Sequence, residues 1–296
     1  MTEGMGIELR NVTQRFGDDV TALDDVSLRI EPGRIVGLLG RNGSGKTTLL
    51  SLLAAFRRPT DGSVLVDGRD PFEEPTVVSR TCLVRESGDV IISDRVRNVL
   101  ELARRLRSTW DDELAQRLVD RFELPLGTKA QHLSRGQQSA LGLVIGLSSR
   151  APLTMLDESY LGMDAHNRQV FYEELLRDYV EHPRTIVLST HLIDEVAPLF
   201  EDVVIIDRGR LLLHESADDL RARGAAVVGP AATVEAFTTG MDRINEQRLG
   251  GTSSIVVLGE LSAQQRAEAR ELGLELEPVG MQDLFIHMTG RAEVSA

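Results

Sequence analysis

The segment Gly40-Arg41-Asn42-Gly43-Ser44-Gly45-Lys46-Thr47-Thr48 constrains this chain more than any other. Its first eight residues fit the pattern G-x-x-x-x-G-K-[ST]. The continuous apolar run Ile35–Leu39 leads directly into it and reads as a strand buried on both faces. A helical stretch through Ala55 follows. A glycine-rich turn in that position can curl successive backbone N–H groups around an anion, because glycine has no Cβ to clash. The helix N-terminus adds roughly half a positive charge. The segment therefore predicts an α/β sheet and a phosphate-bearing ligand.

Composition supports the emphasis on Lys46. The chain has 33 Lys and Arg, yet Lys46 and Lys129 are its only lysines. A chain that otherwise uses arginine keeps the compact, thin-stemmed cation at this one place. Lys46 can reach β- and γ-phosphates, and the Thr47 hydroxyl can ligate Mg²⁺. With 46 Asp and Glu, the formal charge is −13. An acidic surface repels phosphate backbones, so no nucleic-acid partner is expected. At 296 residues and 42% hydrophobic content, the chain can bury one large core and an appendage. The best apolar run, residues 141–147, is short and broken by glycines, far from the roughly 20 residues that span a bilayer. The first ten residues do not read as a secretory signal. The single Cys82 excludes an internal disulfide and reads as a small buried apolar residue.

Strands are predicted at residues 7–13, 26–30, 63–66, 81–84, 153–156 and 185–189, with a hairpin at 203–207 and 210–214 around Arg208-Gly209. Residues 96–107 and 111–122 have helical spacing and many charges, as a solvated helical insert would. Residues 137–149 form an apolar helix, 165–180 a longer one and 191–197 a short one. Composition shifts after about Leu220. Beyond it, strand-like segments at 225–228, 254–258 and 274–278 alternate with helical ones at 233–238, 262–272 and 282–288. Leu249-Gly250-Gly251-Thr252 reads as a flexible segment.

A second acidic element narrows the chemistry. Leu153-Thr154-Met155-Leu156-Asp157-Glu158 is an apolar strand ending in two carboxylates. Asp157 suits Mg²⁺ in its outer shell, and Glu158 suits a general base on an attacking water. Leu133-Ser134-Arg135-Gly136-Gln137-Gln138 stands just before the apolar helix. Ser134 and Gly136 can donate hydrogen bonds to a phosphate at that helix N-terminus.

This order of elements resembles the ATP-binding subunit of bacterial ABC transporters over residues 5–220. The segment at Ser134 resembles the LSGGQ signature of that family, with Arg135 in place of its first glycine. Phe16 sits where the family stacks an aromatic on adenine. Leu161-Gly162-Met163-Asp164 resembles the D-loop, with Asp164 its acidic member. His191, after Ser189-Thr190, matches the switch histidine. Residues 94–100 resemble the segment after the Q-loop. Trp110-Asp111 and the tail at 280–290 are similar to the branch whose exporter-type membrane subunits are separately encoded.

The resemblance implies a P-loop ATPase domain at residues 1–222. It would have a RecA-like core, an antiparallel β subdomain and a helical subdomain at about 88–150. A small α/β appendage would occupy residues 223–296. It implies ATP and Mg²⁺ as ligands. Phe16, Gly40, Asn42, Gly43, Ser44, Gly45, Lys46, Thr47, Thr48, Ser134, Gly136, Gln137 and Asp164 would contact nucleotide. Thr47, Glu86 and Asp157 would hold metal, and Glu158, His191 and Lys46 would act in hydrolysis. A head-to-tail dimer would place each signature over the other subunit's ATP. A homodimer is favoured and a heterodimer is compatible. The solute path would belong to a separate integral membrane permease, docked near Glu86 and residues 96–122. The protein would work in the cytoplasm on the inner face of the membrane. The alternative is a soluble ATPase of the same type with a regulatory role.

Three departures stand out. Glu86 replaces the usual Q-loop glutamine and adds charge beside a phosphate, which would make activity strongly dependent on Mg²⁺. Ser159-Tyr160 replaces Pro-Thr or Pro-Ser and bears on D-loop packing. Arg135 would either assist phosphate binding at the opposite nucleotide or face solvent.

Overall fold

Short runs of β-branched and aliphatic residues, buried on both faces, build the central sheet. The computed structural model describes residues 4–17, 19–86 and 93–294, with side chains through 290. Ser87 and the start of the expected helical subdomain, 88–92, lie outside them. The first half of the chain contains β1 (Ile7–Phe16), β2 (Val20–Ile30), β3 (Ile35–Leu39), α1 (Lys46–Leu53), β4 (Asp61–Val66), α2 (Pro75–Val78) and β5 (Thr81–Arg85). Helices α3 (Val96–Leu106), α4 (Asp112–Arg121) and α5 (Arg135–Ser148) follow. Next come β6 (Leu153–Asp157), α6 (Ala165–Glu181), β7 (Thr185–Thr190), α7 (Ile193–Val196), β8 (Asp202–Asp207) and β9 (Arg210–Ser216). The remainder holds α8 (Ala217–Ala222), β10 (Gly224–Pro230), α9 (Ala231–Phe237), β11 (Asp242–Leu249), β12 (Thr252–Leu258), α10 (Ala263–Glu271), β13 (Glu275–Pro278) and α11 (Met281–Val294).

Two compact units result. One is Met1–His191 with Val204–His214, the other Leu192–Val203 with Glu215–Ala296. The first contains the six-stranded sheet β5-β6-β7-β3-β8-β9 and the three-stranded sheet β2-β1-β4. Strands β5, β6, β7 and β3 are parallel, whereas β1 pairs antiparallel with β2 and β4. Leu38, Leu50, Met155, Val187 and Ile206 meet Ile7, Leu28 and Val66 in one apolar core. The expected RecA-like core and antiparallel subdomain are both present.

The helical segment is amphipathic in the expected sense. Leu114, Ala115, Leu118 and Val119 form the buried stripe of α4. Asp111 caps that helix by accepting the Leu114 N–H at 2.6 Å, and the first turn is acidic while the last carries Arg121. Ion pairs onto one buried carboxylate tie α4 to α6. Glu174, 1% exposed, receives Arg117 at 2.9 Å and Arg121 at 2.8 Å.

The second unit has the order β10-α9-β11-β12-α10-β13, with sheet order β11-β12-β10-β13 and antiparallel pairing throughout. This is the split β-α-β arrangement. Val227, Val234, Phe237, Ile255, Val257 and Leu274 form its core. Strand β11 escapes a hydrophobicity-based reading because DRINEQRL is largely exposed. Leu249-Gly250-Gly251-Thr252 forms the turn of the β11–β12 hairpin, with Gly250 at φ +60°. Two glycines at the tip supply the backbone freedom such turns need.

Candidate functional site

Strand register assembles the site. Pairing of β5 with β6 sets Arg85 opposite Asp157. Pairing of β6 with β7 sets Asp157 opposite Ser189. Pairing of β3 with β7 sets Leu39 opposite Thr190. The residues that come next in each strand are Glu86, Glu158, His191 and Gly40, so all four emerge at the carboxyl edge of one sheet, where open α/β sheets bind ligands.

The glycine-rich turn adopts the backbone that its sequence demands. Gly43 has φ +80° and Gly45 φ +109°, in the region that disfavours side chains. A Cβ on Gly45 would stand 2.5 Å from the Ala22 carbonyl oxygen, and one on Gly40 would overlap the Ser44 side chain. The β8–β9 hairpin supports the turn from outside. Gly209 N–H donates to the Ser44 carbonyl at 3.0 Å, and Asp24 N–H donates to the Gly209 carbonyl at 2.9 Å. Ala22 and Gly209 are structural parts of the site that motif reading missed. Only the Arg208-Gly209 turn signal pointed near them.

Lys46 is 5% exposed. Its Nζ donates to the Gly40 carbonyl at 2.7 Å and to that of Arg41 at 3.2 Å. It also lies 3.6 Å from Glu158 Oε1. Burial lowers the lysine pKa, and the nearby Glu158 and Asp157 charges oppose that shift in part. Glu158 has φ +49° and its N–H donates to the Ser189 carbonyl at 3.1 Å. Its Oε2 lies 3.3 Å from His191 Nδ1. The glutamate therefore stands between the lysine of the turn and the histidine of the next strand.

An open pocket of about 360 Å³ is lined by Thr47, Arg85, Glu86, Asp157 and Glu158. Two buried oxygens near it, Asp157 Oδ1 and Ser44 Oγ, have no hydrogen-bond partner among the described residues. Such orphans are costly and call for a ligand or water. A hydrated cation fits the carboxylate oxygen, and a phosphate fits the turn. No group of three His, Cys, Asp or Glu among the described residues could hold a metal alone.

Other expected residues stand apart from that pocket. Ser134 is exposed and caps α5, accepting the Gln137 N–H at 3.2 Å while the Gln137 side chain accepts the Ser134 N–H at 3.1 Å. A hydroxyl that accepts in the cap keeps its own proton free to donate outward. A Cβ on Gly136 would lie 2.9 Å from the Gly162 carbonyl. The Ser139 hydroxyl donates to the Leu161 carbonyl at 2.7 Å. Signature and D-loop are thus packed together. Asp164 caps α6, accepting the Asn167 N–H at 2.8 Å, and that bond holds its carboxyl below the usual range. Phe16, at the end of β1, is 37% exposed, with the Arg57 guanidinium 4.5 Å from its ring centroid. Asn42 and Thr47 are exposed and Thr48 half-buried.

The departures acquire physical content here. Tyr160 is fully buried, stacks on Phe171 at 5.7 Å and bonds through its hydroxyl to Thr190 Oγ1. The Arg135 side chain is 83% exposed, as the solvent-facing alternative expects, and it reaches one carboxylate. Its Nη2 donates to Glu86 Oε1 at 2.7 Å.

Comparison with known proteins agrees with this geometry. Residues 23–160 match the family model described as ABC transporter. The chain is 27% identical to the ABC transporter ATP-binding protein YtrB of Bacillus subtilis (strain 168), covering 96% of this chain and 98% of that one. It is 30% identical to the daunorubicin resistance ATP-binding protein DrrA3 of Streptomyces coeruleorubidus, covering 96% of each. Among solved structures, a dimeric post-hydrolysis ATP-binding cassette bound to ADP and Pi shares the fold with a TM-score of 0.63 and 24% identity, over 71% of this chain and 98% of that one. The chain belongs to the ABC transporter family, as an ATP-binding, ATP-hydrolysing subunit.

Proposed function

We propose that two copies of this chain clasp two ATP molecules and that hydrolysis releases the clasp to drive a separate membrane permease, in the direction of export. The observation that carries this reading is the split of the chemistry. The pocket at Thr47, Asp157 and Glu158 is formed by the start of α1 and the ends of β5 and β6, whereas the exposed cap Ser134 does not line it. A single chain leaves each nucleotide half enclosed. A head-to-tail pair completes both.

In this reading Phe16 stacks on adenine, a contact of about 1–3 kcal/mol for such base–aromatic pairs. Gly40, Asn42, Gly43, Ser44, Gly45 and Thr48 enclose the phosphates, and Lys46 neutralises them. Thr47, Asp157 and Glu86 hold Mg²⁺, which when bound offsets phosphate charge. Glu158 takes the proton of the attacking water. His191 orients the Glu158 carboxylate and faces the γ-phosphate. Ser134, Gly136 and Gln137 serve the partner's nucleotide, and Asp164 fixes the D-loop that backs them. ATP holds the dimer because its γ-phosphate meets donors from both sides, and losing that phosphate shifts the population to the open form.

A permease on a separate chain fits the likeness to relatives named as ATP-binding proteins; among the described residues no helix is long and apolar enough to cross a membrane. In this reading residues 96–122 and Glu86 form the permease's docking surface, and the protein works on the inner face of the membrane. The full-length likeness to a daunorubicin resistance protein, appendage included, supports export. Residues 1–222 make the ATPase domain, with the helical subdomain at 88–150, and 223–296 the appendage.

Cysteine cross-linking tests the composite site. The native Cys82 is buried, so the double variant Asn42→Cys, Ser134→Cys presents two new accessible thiols. A short bis-maleimide is expected to give a covalent dimer with Mg-ATP and none without nucleotide. Absence of that dimer would count against the reading, as would its formation regardless of nucleotide.

A further inference from the structure

Glu86 lines two cavities at once. One is the 360 Å³ pocket with Thr47, Asp157 and Glu158. The other, about 340 Å³, is lined by Glu86, Arg135, Gln138, Ser139 and Leu161. The carboxylate stands in the wall between them. Its Oε1 accepts from Arg135 Nη2 at 2.7 Å, which leaves Oε2 for the pocket at the P-loop. Both residues depart from the family pattern described above, and they touch each other. A neutral glutamine beside Asp157 and Glu158 would add no charge. A glutamate there adds a third carboxylate, and Arg135 supplies the compensating cation.

We propose that Arg135 is a positioning residue for Glu86, and that this ion pair couples nucleotide binding in one subunit's pocket to the placement of the same subunit's signature segment over the partner's nucleotide. The inference rests on the composite-site reading above. Arg135 is the first residue of α5, directly after the cap Ser134. Its Cβ lies 3.3 Å from where a Cβ on Gly162 would be, and Ser139 is bonded to Leu161. A pull on Arg135 therefore moves the signature and the D-loop as one body. Among the described residues Glu86 alone lines both cavities, so it is the shared part through which a ligand in the first pocket acts on the second.

The pair is 47% exposed at Glu86 and 83% at Arg135. Surface pairs of this kind add little to stability, so substitutions leave the free subunit folded. Closing the dimer covers the segment and turns an unpaired charge there into a penalty. Removing one partner is then worse than removing both.

The test is a double-mutant cycle read by nucleotide-induced dimerisation rather than turnover, in the Glu158→Gln background. Glu86→Gln and Arg135→Gly are each expected to raise the Mg-ATP concentration for half-maximal dimerisation about tenfold. The double variant is expected to return to within about threefold of the parent, because a neutral pair leaves no orphaned charge. A fluorescent ATP analogue measures monomer binding alongside, and Arg135→Gly should leave it unchanged. Single effects that multiply in the double variant, or singles that match the parent, would overturn the coupling. A parent that never dimerises would instead overturn the composite-site reading, and this inference with it.

Discussion

His191 Nδ1 lies 3.3 Å from Oε2 of Glu158. The other oxygen of the same carboxylate lies 3.6 Å from Lys46 Nζ. A carboxylate held by one group on each side keeps one orientation, which is what a base on an attacking water needs. Glu158→Gln preserves shape and removes the proton acceptor. Its rate of phosphate release under saturating Mg-ATP should fall by about 10²–10⁴, with nucleotide binding retained. Phosphate release within a factor of two of wild type would assign the base elsewhere.

Lys46 imposes a pH dependence on the free protein. Burial lowers its pKa below 10.5. Well below the lowered value, both folded and unfolded chains carry the proton. Between that value and 10.5 the unfolded chain binds more protons, so this group makes stability rise with pH across that window. Lys46→Met should remove that contribution. Thermal unfolding of both proteins in a nucleotide-free alkaline series checks it, and parallel curves would contradict it.

Tyr160 ties the D-loop to the strand that presents His191. Its hydroxyl bonds to Thr190 Oγ1 in a fully buried setting. Tyr160→Phe keeps the stacking on Phe171 and deletes the bond, at about 0.5–1.5 kcal/mol. Urea unfolding reads that loss. A several-fold drop in ATPase rate is expected with it, because Thr190 is the neighbour of His191. An unchanged rate alongside the stability loss would show the bond to be structural only.

A buried ion pair holds the far end of α6. Arg184 is 1% exposed and Asp178 equally so, at 2.7 Å from each other, and Arg150 also reaches Asp178 at 3.0 Å. Asp178→Ala strands a buried guanidinium. It should cost about 3–5 kcal/mol, measured by equilibrium urea unfolding. A change under 1 kcal/mol would mean that water reaches Arg184.

The legible and illegible parts of the molecule divide along physical lines. Strand β3 matches the expected run Ile35–Leu39 residue for residue, because a strand buried on both faces must be apolar throughout and its end is marked by Gly40. Strand β6 runs one residue past its expected end, to Asp157, whose carboxylate is buried with the rest of the strand. Strand β11 escapes a sequence reading because it is mostly polar and its residues are exposed or half-buried, so no apolar face marks it. Helix α8 was missed because its signal lies in the cap Ser216 and Asp219 rather than in periodicity. The motif residues could be read singly, but not their meetings. Glu86 and Arg135 are 49 positions apart, and only the approach of α5 to the end of β5 brings them together. Likewise Tyr160 looks like a D-loop variation in sequence and is a core residue in space.

In the proposed cycle ATP itself joins two copies of the chain. Sedimentation velocity of the Glu158→Gln protein with Mg-ATP, compared with ATP plus a chelator, tests it most directly. With Mg-ATP a dimer of about twice the 32.6 kDa chain mass is expected, and a monomer once the metal is chelated. A monomer under both conditions, at ATP concentrations that saturate binding, would contradict it.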